Sequence, residues 1–168
     1  MTETAQQYVQ RVLGYVGDRD PLSILQETLS RLVPLVTSQP ADRLTQRPAP
    51  DKWSAAEIMA HLADAEMVLS FRVRLMLGQN GVPIQGYDQN AWAAFSHYEQ
   101  IPPAESLEQF TVLRHGNLRL LLSLSGEQLE HWGMHSERGR ETVAHVIRMW
   151  AGHDLNHRAQ VEKILQQS

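Results

Sequence analysis

The stretch WSAAEIMAHLADAE, residues 53–66, opens with the signature of a helix N-terminus. Ser54, followed three residues later by Glu57, makes a capping box, and Trp53 pairs with Ile58 as a hydrophobic staple. From this start Ile58, His61, Leu62, Ala65, Val68, Leu69 and Met76 fall on one face at helical spacing. The run should stop near Gly78, Asn80 and Gly81. His61 therefore points at or beside the core.

Working outward, three more stretches carry helical periodicity, and none carries the sustained period-two alternation of a half-buried strand. Asp20-Pro21 is a cap residue followed by proline at the first helical position, and the stripe beyond it runs Leu22, Leu25, Leu29, Leu32, Val33 and Val36. Pro34 should bend its last turns. A further helix is expected from about Pro103 to Leu124, with Leu107, Phe110, Leu113, Asn117, Leu121 and Leu124 inward. The last spans about Thr142 to Leu165, with Val143, Val146, Ile147, Trp150, His153, His157, Val161 and Ile164 inward. Residues 1–19 form an N-terminal extension or a short additional helix from Thr4 to Gly14.

About 15 residues join the first two long helices, which suits antiparallel neighbours, whereas roughly 25 separate the second and third. A long crossover lets those two run parallel. The expectation is an all-α chain: one domain over residues 1–168, a four-helix bundle of up-down-down-up topology with the long crossover between its second and third helices.

With 19 acidic and 15 basic residues interspersed among 168, for a formal charge of −4, no basic stripe exists to follow a phosphate backbone. Nucleic acid is not an expected partner. The absence of cysteine excludes disulfides, thiolate ligands and a protein thiol nucleophile. The segment MTETAQQYVQ lacks a signal-peptide profile, and the apolar run Leu118 to Leu124 is too short for a bilayer. A soluble, cytoplasmic protein without membrane association is expected.

His153 and His157 stand four apart on one helix face, near enough to share a metal ion. Alternatively, they are polar residues with satisfied hydrogen bonds. His61 weighs against that alternative. With the second and fourth helices antiparallel, it lies level with His157 at a rise of about 1.5 Å per residue. Three inward imidazoles without a ligand would cost about 1–3 kcal/mol each. A divalent ion removes that cost, and three histidines leave coordination positions open, as in catalytic zinc sites.

Four segments together, KWSAAEIMAHLADAE at 52–66, GYDQNAW at 86–92, MHSERGRET at 134–142 and AGHDLNHRAQVEKIL at 151–165, resemble the DinB-like metalloproteins. Within them the nearest likeness is to the YfiT-like branch of thiol-dependent transferases and metal hydrolases. The resemblance covers the chain from about residue 20 onward. It implies a divalent metal, commonly zinc or nickel, held by His61, His153 and His157, together with the up-down-down-up bundle and often a homodimer. It also implies a small-molecule substrate and a low-molecular-weight thiol cosubstrate, of the kind that bacillithiol and mycothiol represent.

Other residues are weaker candidates. Asp64, one turn after His61, would orient a histidine by accepting its second ring N–H, or stand exposed. Gln160 would hydrogen-bond in the core or support the site. In the crossover, Tyr87, Asp88 and Trp92 would cover the metal pocket, or plug one end of the bundle. His135 matches a histidine of the family pattern and is a pocket candidate. Glu57 is occupied by its capping box. Asp154 and Asn156 are expected in solvent, and His97, His115, His131 and His145 on the surface.

Three functions fit this pattern. The leading one is a metal-dependent enzyme that binds a small thiol as thiolate and presents it to an electrophile. Coordination to a dication deprotonates a thiol whose free pKa is about 8.5. The alternatives are a hydrolase in which the ion lowers the pKa of water toward about 7, and a non-catalytic metal-binding stress protein.

Overall fold

A computed structural model describes residues 3–166. Four long helices make the bundle: α2 (Pro21–Thr37), α4 (Ala55–Gly78), α6 (Pro103–Leu121) and α8 (Val143–Gln166). An N-terminal helix, α1 (Ala5–Val16), packs along α8. Three short helices, α3 (Ala41–Thr45), α5 (Gln89–Phe95) and α7 (Gly126–Leu129), lie in the connections. Among the described residues, no helix is long and apolar enough to cross a membrane.

The expected starts are present. Asp20 caps α2 by accepting from the Ser23 N–H, and Ser54 and Glu57 form the reciprocal capping box of α4. Pro34 lies within α2, which continues to Thr37. α4 packs against α6 and α8, and α2 against α8 and α6. The first turns of α4 are buried on every side, from Ala55 to Ala63, because alanines at 55, 56, 60 and 63 let neighbouring elements approach closely. Two large apolar clusters form most of the core, with a small third one of Ala60, Ala93 and Tyr98 beside them. One large cluster, around Leu32, Ile58, Leu62 and Phe110, lies by the start of α4; the other, around Ile24, Val73, Ile147 and Trp150, lies by its end.

Beside the bundle lies a small sheet that periodicity did not announce. It has the order β1 (Val82–Ile84), β2 (Trp132–His135), β3 (Gly139–Thr142). β2 and β3 form an antiparallel hairpin, and β1 runs parallel to β2 with Ile84 opposite His135. The crossover is thereby fastened to the hairpin leading into α8. The Ser136 N–H donates to the Ile84 carbonyl (2.9 Å) and the Gly86 N–H to Ser136 Oγ (3.0 Å). The third long helix ends at Leu121 rather than Leu124, and Leu124 packs against the core from the following turn.

Candidate metal centre

The second turn of α4 supplies His61, and two successive turns of α8 supply His153 and His157. One ring nitrogen from each lies within 4.8 Å of the others. The His61 and His153 Nε2 atoms are 2.9 Å apart. The ring centroids of His157 lie 4.7 Å from His61 and 4.4 Å from His153. Only 0%, 8% and 7% of these three residues is exposed, so bulk solvent barely reaches them.

Burial disfavours the protonated ring. It brings His61 down to about 4, and His157 to about 3 with help from His61. His153 is held well below its ordinary range by burial, His157, His61 and Arg114. At neutral pH all three rings are uncharged and offer lone pairs. Gln160, exposed at the edge of the cluster, has its Oε1 3.2 Å from His157 Nδ1. An amide oxygen only accepts, so Nδ1 carries the proton and His157 Nε2 keeps its lone pair. The Nδ1 atoms of His61 and His153 are buried without partners. Nitrogen-only donors, uncharged and facing one another in a buried site, fit a borderline divalent cation of the zinc or nickel type.

The surroundings hold the rings in place. Trp53, the staple residue, lies with its ring centroid 5.1 Å from that of His61 and shields it. Beneath His153 is a buried charged cluster. Arg114, wholly buried, donates to Glu66 (2.5 Å), to both oxygens of Asp154 (2.7 and 3.1 Å) and to the Leu25 carbonyl (2.7 Å). Glu66 also accepts from Trp150 Nε1 (2.8 Å) and Asn117 Nδ2 (3.0 Å). The cluster ties α2, α4, α6 and α8 together and fixes the rotation of α8 that turns both of its histidines inward. Asp154 is thus buried, correcting its expected place in solvent: its charge is neutralised by an arginine on another helix. Glu66 and Arg114 escaped the sequence reading, although each interrupts an apolar stripe, at Ile58, Leu62, Glu66 and at Phe110, Arg114, Leu118. Asn156 is half-buried and accepts from Arg11 Nη1 (2.9 Å).

Two cavities reach the cluster. The first, about 350 Å³, is bordered by His153, Arg72, Tyr87 and His135; the second, about 530 Å³, by His157, Trp53 and Gln160. Tyr8 of α1 borders both, so the N-terminal extension is a helix that contributes to the site. Neither cavity is bordered by Asp88 or Trp92. Asp88 is exposed and caps α5 through the Asn90 and Ala91 N–H groups. Trp92 packs against Tyr87 with ring centroids 4.7 Å apart and planes tilted by 51°. Asp64 holds no histidine: it accepts from the Tyr98 hydroxyl at 2.5 Å. His135 is buried. His97 and His115 are exposed as expected, whereas His131 and His145, also expected at the surface, are half-buried, His131 with its Nδ1 3.0 Å from the Met76 carbonyl oxygen.

Among solved structures, the chain is similar to YfiT from Bacillus subtilis, described as "a probable metal-dependent hydrolase with an unusual four-helix bundle topology". The TM-score is 0.81 at 20% identity, over 99% of this chain and 90% of that one. The Oceanobacillus iheyensis protein named "Putative metal-dependent hydrolase OB0782" is 28% identical over 112 residues, 67% of this chain and 64% of that relative's length. A Halalkalibacterium halodurans protein, "Putative metal-dependent hydrolase BH0277", is 24% identical over 136 residues, 81% of this chain and 79% of its own. The sequence profile of the DinB superfamily matches residues 24–161, from α2 through both histidines of α8. The chain belongs to the DinB superfamily.

Proposed function

We propose that the protein is a metal-dependent enzyme in which His61, His153 and His157 hold one divalent cation, zinc or nickel, against a small-molecule substrate. The observation that carries this reading is the convergence of three buried, uncharged imidazoles from two helices. A cation held there supplies Lewis acidity, which deprotonates a coordinating nucleophile or polarises a carbonyl. The chain's own groups do the rest. Gln160 orients His157, Trp53 keeps water from His61, the Arg114 cluster holds the α8 face, and Tyr87 and His135 shape the first cavity.

In the leading reading the nucleophile is a low-molecular-weight thiol transferred to an electrophile, as the family resemblance suggests. The second reading, hydrolysis with water as nucleophile, is favoured by the names of the relatives. Both use the same three histidines. The test is to load the protein with zinc or nickel and assay monochlorobimane with several thiols, alongside an ester without thiol. Thiol conjugation abolished by His157→Ala supports transfer, and thiol-independent ester cleavage abolished by the same change supports hydrolysis. Elemental analysis that finds no stoichiometric metal in untagged protein refutes both.

A further inference from the structure

We infer that Arg72 and His135 form a subsite for a carboxylate of the substrate, on the wall of the cavity that His153 also borders. The inference rests on the proposal that this cavity holds the substrate, and it names that substrate's class.

Arg72, on α4, is 8% exposed. Its Nη2 donates to the Gln85 carbonyl at 2.8 Å, and its guanidinium lies 5.7 Å from the Tyr87 ring centroid. Among the described residues, no carboxylate forms an ion pair with it, unlike the other cations at this cavity and its edge. Arg138 is forked onto Glu141 at 2.6 and 3.0 Å, and Arg11 is forked onto Glu3 at 2.8 Å on both arms. Glu137 is exposed, and its carboxylate packs toward Gly86. A largely buried guanidinium with donors to spare is costly unless an anion meets it.

His135 supplies a second donor. Its Nδ1 accepts from the Glu137 N–H at 3.1 Å. The proton of the neutral ring therefore sits on Nε2, which is buried and has no partner. Burial, with Arg138 adding, keeps the ring uncharged by bringing its pKa to about 4. The cavity wall thus holds a planar fork and a neutral N–H; no carboxylate forms an ion pair with the fork among the described residues, and Glu141 and Glu137 act on it only from further off. That set suits a monoanionic carboxylate better than a phosphate dianion, because Glu137 and Glu141 at the same cavity repel two charges about twice as strongly as one. Val68, Leu69 and Met149 form an apolar part of the same wall. The fitting ligand has a short apolar body and a carboxylate end, with its reacting end toward His153.

The experiment compares hydrocinnamate with its uncharged amide by isothermal titration calorimetry, on full-length protein stripped of metal. Hydrocinnamate should bind at least about tenfold more tightly than the amide, and Arg72→Gln should abolish that preference. Arg72→Lys should restore part of it, and His135→Ala should weaken hydrocinnamate alone. Equal affinity for the two probes, no binding of hydrocinnamate, or a preference that survives Arg72→Gln would overturn the subsite. The comparison of probes on the unaltered protein requires no variant to fold. Because the titrations contain no metal, the subsite and the cation centre fail separately, and zinc stoichiometry reports on the centre alone.

Discussion

Gly152→Ala should destabilise this protein, against the usual preference of a helix interior for alanine. Gly152 lies within α8 beside His153, and alanine there would ordinarily add about 1 kcal/mol of stability. The α1 backbone, however, lies directly against it. A Cβ at 152 would stand 2.1 Å from the Val12 carbonyl oxygen and 2.7 Å from its carbon. Since this is backbone, no rotamer change relieves the clash, and α1 must shift by roughly 1.4 Å to restore van der Waals contact at about 3.5 Å. That shift loosens Val12 and Val16, buried to 0% and 1% exposure, whose full release would forfeit about 1.5–3 kcal/mol each. Partial displacement, offset by the gain in helix preference, leaves a net loss of about 1–3 kcal/mol. For a chain of this size that lowers Tm by about 2–12 °C. Thermal melts measure the loss, and hydrogen exchange should show the α1 amides losing protection before those of α4. An unchanged or raised Tm with α1 protection intact would refute the packing described here.

Other outcomes follow from the same geometry. Arg114→Met leaves Glu66 and Asp154 buried without a counter-charge and should cost about 3–5 kcal/mol in urea denaturation. Without metal, the depressed pKa values of His61, His135 and His157 set the pH dependence. The unfolded chain takes up protons below about 6.5 while the folded chain does not. Stability is therefore complete above that pH and declines as pH falls toward the range of about 4 to 3, so a flat denaturation midpoint across this window would contradict the burial of these rings. Gln160→Ala removes the acceptor that orients His157 and should weaken zinc affinity by about tenfold in a competition titration, with the fold unchanged.

What could be read from the sequence was what is encoded locally. The Ser54 and Glu57 capping box, the Asp20-Pro21 start and the apolar stripes mark the long helices, because each depends on residues within a few positions of one another. The histidine cluster was legible because His61, His153 and His157 occupy apolar positions on those stripes. The sheet was not, since strands of three or four residues are too short to show alternation and the β1 to β2 pairing joins segments about 50 residues apart. Asp154 was misplaced for a related reason. Its neutralising partner, Arg114, lies on another helix, and an acidic residue in a helix reads as solvated until that partner is found. For Tyr87, Asp88 and Trp92 the length of the loop leaves two places open, over the pocket or at one end of the bundle; Tyr87 borders the first cavity, where the sheet holds the crossover, and Asp88 and Trp92 border neither cavity.

The union of β1 with β2 ties the outer wall to the end of the chain. Strands in parallel cannot meet through a tight turn, and α6 and α7 lie between residue 84 and residue 135. The imidazoles need a longer closure still, since His61 and His153 stand 92 residues apart. A newly made chain should therefore gain its grip on an ion and its latched wall together, once the last helix has emerged, rather than one after the other.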